Sequence, residues 1–141
     1  MAAYNKFEQF VLDLGTKVHD LKAAGDTLKC YLSNATPSAS ADTIKTDLAE
    51  ITAENGYTAG GDDVTNDYTE ASGTASLTGT DIVITASGGT VGPFRYVVLY
   101  NDTPTSPLDP LIAWWDYGSS ITLQDGETFT IDFGANIFTL A

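Results

Sequence analysis

Cationic side chains are nearly missing from the second two-thirds of this sequence. Past Lys45 the only base is Arg95, set against fourteen acids, whereas residues 1–45 carry five Lys and five acids (Glu8, Asp13, Asp20, Asp26, Asp42) that cancel. One base less fourteen acids gives the net charge of −13 of the whole 141-residue chain. Affinity for DNA or RNA rests largely on Lys and Arg displacing counterions from phosphates, so this balance argues against a nucleic-acid partner. Anionic membrane surfaces are disfavoured for the same reason. Cysteine is represented by Cys30 alone, which rules out an intrachain disulfide and a thiolate zinc site. Cys30 lies in the apolar stretch Leu28–Leu32 and reads as a buried, inert thiol. Long apolar runs are also lacking. Lys6, Glu8, Asp13 and Lys17 interrupt the N-terminal apolar positions, a pattern unlike a secretory signal or a membrane span. The expectation is a protein made and kept in a cytoplasm unless a larger assembly carries it out.

What is present suffices for a core. Hydrophobic residues make up 43% of the chain and aromatic residues 11%, so the acidity is not that of a disordered tail. Phe7, Phe10, Val11, Leu14, Val18 and Leu21 recur at spacings of three and four, which predicts an amphipathic helix over residues 4–22, with Glu8, Asp13 and Asp20 turned outward. Leu28–Leu32 predicts a strand. Ile44, Leu48 and Ile51 then predict a short helix or helical turn over residues 43–51. From Val64 onward short β-branched and aromatic segments alternate with turn residues: Ala75–Leu77, Asp81–Ala86, Phe94–Tyr100, Leu111–Tyr117, Thr128–Phe133 and Ile137–Leu140. FRYVVLY (Phe94–Tyr100) and LIAWW (Leu111–Trp115) are almost unbroken apolar runs, as expected of central strands covered on both faces. The predicted fold is mainly β (α+β). It is a single domain over 1–141, with an N-terminal helix (1–25), a strand plus short helix (26–61) and a β-sandwich or jelly-roll-like body (62–141).

No catalytic constellation is visible. Nucleophilic catalysis needs a nucleophile with a base beside it. His19, the only imidazole, falls on the predicted helix, where a surface or packing role is expected, and Cys30 falls inside a strand. Asp62, Asp63, Asn66 and Asp67 offer oxygen ligands of the kind Ca²⁺ takes, but their spacing departs from the EF-hand loop and a solvated loop is the expected reading. Trp114 and Trp115 beside Asp116 resemble a sugar-binding cleft superficially. Strand alternation sends the two rings to opposite faces, so at most one can meet a ligand. Gly88–Gly89 and Gly92–Pro93 precede a strand rather than a helix and carry no following Lys, which makes them turn residues. Neither a cofactor nor a metal is expected. Arg95 stands in an apolar strand amid an acidic excess, so a buried or half-buried structural ion pair with a carboxylate is predicted for it.

Five stretches together carry a resemblance: YNKFEQFVLDLGTKVHDL (Tyr4–Leu21), LKCYLSNATP (Leu28–Pro37), DLAEITAENGYTAGG (Asp47–Gly61), GPFRYVVLYNDTP (Gly92–Pro104) and IAWWDYGSSITLQDGETFTIDF (Ile112–Phe133). Over nearly its whole length the chain resembles a family of small tailed-phage and prophage proteins, virion structural proteins of the capsid-decoration (cement) kind. The resemblance implies a non-catalytic structural role in a virion, most directly as a head decoration protein that stabilises the capsid through symmetric surface contacts. The alternative it leaves is a tail or baseplate component or a carbohydrate-binding adhesin module. The implied partners are the major capsid protein or another virion protein and further copies of the chain, as a homotrimer or homodimer. Phe7, Phe10, Val11, Leu14 and Val18 on the near-neutral helix, with Trp114 and Tyr117, are the candidate interface residues.

Overall fold

The computed structural model describes residues 2–141. In chain order its elements are β1 (Asn5–Lys6), α1 (Glu8–Gly15), β2 (Leu28–Ser33), a 3-10 turn at Lys45–Asp47, β3 (Asp62–Asp63), β4 (Asp67–Ala71), β5 (Thr74–Thr78), β6 (Ile82–Thr85), β7 (Val91–Asn101), β8 (Leu111–Leu123), β9 (Thr128–Ile131) and β10 (Phe138–Leu140). All strand pairs are antiparallel. The fold is therefore mainly β with one short helix near the N-terminus.

A five-stranded sheet in the order β1-β8-β7-β2-β3 forms the spine, and the sheets β10-β5-β4 and β6-β9 are smaller. The apolar runs explain why β7 and β2 sit inside the spine. Along β7, Val97 and Leu99 enter one core cluster, while Tyr96, Val98 and Tyr100 enter a second on the opposite face. In β2, Leu28, Cys30 and Leu32 face the first cluster and Tyr31 the second. A strand apolar on both sides needs cover on both sides. Leu77 of β5, Ile82 and Ile84 of β6, Ile131 of β9 and Phe10 of α1 cover one face. Phe7 and Leu48, the latter from the long connection after β2, cover the other.

The helix predicted over residues 4–22 is much shorter. Residues 5–6 pair with β8 as β1, and α1 ends at Gly15. Its stop is a Schellman-type cap: Lys17 takes the left-handed conformation (φ 66°) and the Val18 N–H donates to the Asp13 carbonyl at 3.0 Å. The apolar residues beyond it reach the core by a different path, as Leu21 is buried although it is not helical. Asp13, expected outside, is buried, and Val11, expected inside, is 58% exposed. The helix predicted over 43–51 is one 3-10 turn, and Ile44 before it is extended and bridges to Pro110. The polar strand β4 (DYTEA) has no counterpart in the apolar pattern. It forms because Ser72 and Gly73 both adopt positive φ (52° and 85°), the two-residue turn whose twist suits a hairpin with β5.

Candidate functional site

An aromatic-lined groove of about 320 Å³ lies between β8 and the β9 segment. Trp115 and Tyr117 point to the same side of β8 and form one wall, and Phe129 and Phe133 form the other, with Thr130 and Asp132 at the rim. The rings contact one another: the Tyr117 and Phe129 centroids are 5.7 Å apart and those of Trp115 and Phe133 5.9 Å apart, both tilted. Tyr117 is 55% exposed, so its face is open to a partner. An aromatic groove with a few polar rim groups can bind a neutral ligand by stacking and hydrogen bonding. No two groups lining it are a nucleophile and its base.

Beside the groove, Asp116 points to the other side of β8 and pairs with Arg95. The guanidinium donates through Nε to Oδ1 (2.8 Å) and through Nη2 to Oδ2 (3.0 Å). The Asp116 carboxyl is held below the usual carboxylate range, first by this hydrogen bond and then by the Gly118 N–H. Both residues are half-buried, with side chains 40% and 38% exposed, so Arg95 holds the half-buried carboxylate pairing predicted for it, and solvent screens that pair.

The interface candidates separate into two groups. Phe7 and Phe10 are buried in the chain's own core and are not available at a surface. The reason is register: β1 brings Phe7 alongside β8, where its ring packs 4.7 Å from Trp114, and Phe10 packs against Phe138 at 5.7 Å. Trp114 is half-buried in that contact, on the face opposite Tyr117, and Leu14 and Val18 are half-buried. Of the helix residues, Val11 and Leu12 are the ones that present apolar surface, at 58% and 59% exposure.

The other singled-out groups have structural duties. Cys30 is fully buried, and burial drives its thiol pKa well up. Asp62 and Asp63 form β3 against Lys29 and Cys30, and the buried Asn66 ties the Leu21 carbonyl to the Leu28 N–H. Among the described residues no three His, Cys, Asp or Glu side chains are placed to hold a metal ion. No helix among them is long and apolar enough to cross a membrane.

A polar cluster that the sequence does not signal lies under the connection after β2. Glu50 accepts from Lys45 Nζ (2.8 Å), from the Tyr57 hydroxyl (2.7 Å) and from the Gly60 N–H (2.7 Å). Tyr57 in turn accepts from the Leu32 N–H at 3.0 Å, and the Lys45 ammonium lies 4.8 Å from the Tyr31 ring centroid. Burial first, and the hydrogen bond to Glu50 second, push the Tyr57 pKa far up, so its hydroxyl stays protonated and structural.

Comparison with protein-family models, with curated proteins and with solved structures found no match.

Proposed function

We propose that this chain is a non-catalytic structural protein of a tailed-phage virion, acting as a head decoration protein bound to the major capsid protein or another virion protein. The sequence resemblance suggests the setting. The observation that carries the reading is the employment of the reactive side chains. Asp116 is paired with Arg95, Glu50 is saturated by three donors, and Cys30 is sealed in the core. What remains for function is surface. Symmetric self-association as a dimer or trimer fits repeated two-fold or three-fold positions on a shell. Because the chain carries −13, such contacts belong on its exposed apolar surface, at Val11 and Leu12 of α1 or at the aromatic groove. The test is quantitative protein composition of purified particles together with their density. A copy number comparable to that of the major capsid protein, with density on the head, is the expected result. A few copies in the tail refute the decoration role.

The groove favours a second reading, a carbohydrate-binding adhesin module. Trp115, Tyr117 and Phe129 offer apolar ring faces and Asp132 and Thr130 offer polar partners, as neutral sugar recognition requires. Titration of neutral oligosaccharides followed through the Trp fluorescence of the wild type and a Trp115→Ala variant separates the two readings. Binding lost in the variant supports the adhesin.

A further inference from the structure

His19 and Asp13 each bury one side-chain atom that has no hydrogen-bond partner, Nε2 of the ring and Oδ2 of the carboxylate. Both residues are more than nine-tenths buried, at 8% and 4% exposure. The other ring nitrogen is engaged: His19 Nδ1 lies 3.0 Å from Nδ2 of Asn101, the fully buried last residue of β7. The orientation of that amide is fixed by its other contacts. Asn101 Nδ2 is 2.7 Å from the Asp26 carboxylate, and Asn101 Oδ1 accepts from the Thr103 N–H at 3.1 Å. Flipping the amide would set its oxygen against a carboxylate and its NH₂ against an N–H. Asn101 therefore donates to both His19 and Asp26, and His19 Nδ1 must present a lone pair. The ring is neutral with its proton on Nε2, which leaves no lone pair there for a metal.

A second proton on this ring can go only on Nδ1, where it meets the Asn101 N–H donor head-on. We propose that the turn Thr16–Asp20 is a proton-operated latch: protonation of His19 expels its ring from Asn101 and loosens this turn from the end of β7, while Leu21 and Thr27 stay anchored by the core and by Thr103. Asp26 ties the latch together, since its Oδ2 also accepts from the Asp20 N–H at 2.9 Å. The outer side of the turn borders a shallow cleft against Thr103–Ser106, which gives it room to swing. Release also reaches α1, because the Phe10 ring rests on the His19 ring with centroids 5.2 Å apart.

The charged groups facing His19 are Asp13 from α1 and Asp26 from the chain before β2; β7 contributes only the uncharged Asn101. Burial lowers the His19 pKa, and Asp13 and then Asp26 oppose that without reversing it. A group whose pKa is lower in the closed state binds more protons in the open one. Latch closure is thus fully favoured above the ordinary His pKa of about 6.5 and is lost as pH falls from there through the lower closed-state value.

Because His19 is the only imidazole, ¹⁵N NMR of the intact protein reads it without ambiguity. The expected results are an Nε2–H tautomer at pH 8, a ring pKa below 6.5, and protection factors of the bonded Thr16, Val18 and Asp20 amides that fall by up to about tenfold per pH unit across that titration. A His19→Gln variant, which cannot titrate, should lose the pH dependence in that turn alone. An Nδ1–H tautomer at pH 8, a pKa at or above 6.5, or unchanged protection through the titration would overturn the latch.

Discussion

Replacing Glu50 by alanine removes three contacts at once and tests whether the connection after β2 is held by its polar cluster. The carboxylate accepts from Lys45, Tyr57 and Gly60, and the Glu50 and Lys45 side chains are only 16% and 20% exposed. A hydrogen bond to a charged group contributes about 1.5–3 kcal/mol, and breaking a buried pair by removing one partner costs about 3–5 kcal/mol. Water can reach part of this site and resolvate the ammonium, and Tyr57 keeps its bond from Leu32, so the expected loss is about 3 kcal/mol. For a chain of this length that corresponds to a fall in Tm of roughly 6–12 °C. Urea denaturation followed by Trp fluorescence measures the loss directly. A double-mutant cycle with Tyr57→Phe should show coupling above about 0.5 kcal/mol. Amide exchange adds a local readout at Ile51, whose N–H donates to the Leu32 carbonyl at 3.0 Å. A Glu50→Ala variant that unfolds within about 0.5 kcal/mol of the wild type, with Ile51 equally protected, refutes the claim that this cluster anchors the connection.

Phe7→Ala should cost about 3–5 kcal/mol in chemical denaturation, because the fully buried ring packs on Trp114; a near-neutral variant would return Phe7 to the list of surface contacts. Lys17→Gly should stabilise by about 0.5–1 kcal/mol in thermal unfolding, since it relieves a left-handed backbone at the α1 cap. The Asp47 carboxylate accepts from the Thr43 and Ile44 N–H groups, and the Thr43 bond first, then the Ile44 bond, hold its pKa below the ordinary carboxylate value. Its contribution is present above the ordinary Asp pKa of about 3.9 and is lost as pH falls through the lower folded value. Asp47→Asn should therefore melt slightly lower than wild type at pH 7, by a few tenths of a kcal/mol after solvent screening, and the difference should vanish near pH 2.

Legibility followed chemistry that is local in the chain. The apolar density of Phe94–Tyr100 and Leu111–Trp115 marks strands whatever their partners, and both lie in the five-stranded sheet. The end of α1 was not legible because the left-handed position falls on Lys17, where glycine or asparagine is the usual sign, while Gly15 stands two residues too early. β4 was not legible because a polar strand owes its existence to the partner and the turn rather than to its own residues. The groove shows the same division. Alternation in β8 separates Trp114 from Trp115, but only the packing of β9 beside β8 brings Phe129 and Phe133 to the Trp115 side. Helical spacing places Asp13 outward and His19 at a helix surface or packing position. Their burial depends on Gln9 and Asn101, a pairing of short- and long-range partners that no periodicity encodes.

The ladder of the spine sheet sets the order in which this chain can fold. Leu28 pairs with Asn101 and Asn5 with Trp114, so the first strands to leave the ribosome wait for nearly the last. Loop closure over such separations is slow compared with the β4–β5 hairpin, whose partners adjoin in sequence. Until β7 has been synthesised, β2 is an apolar strand with one edge open and only the two residues of β3 available to the other, and β7 in turn lacks a partner until β8 follows; open apolar edges are the form in which nascent chains aggregate. A nascent chain stalled before Leu111 therefore holds an open template, and efficient production of this protein depends on translation running through to β8 without pause.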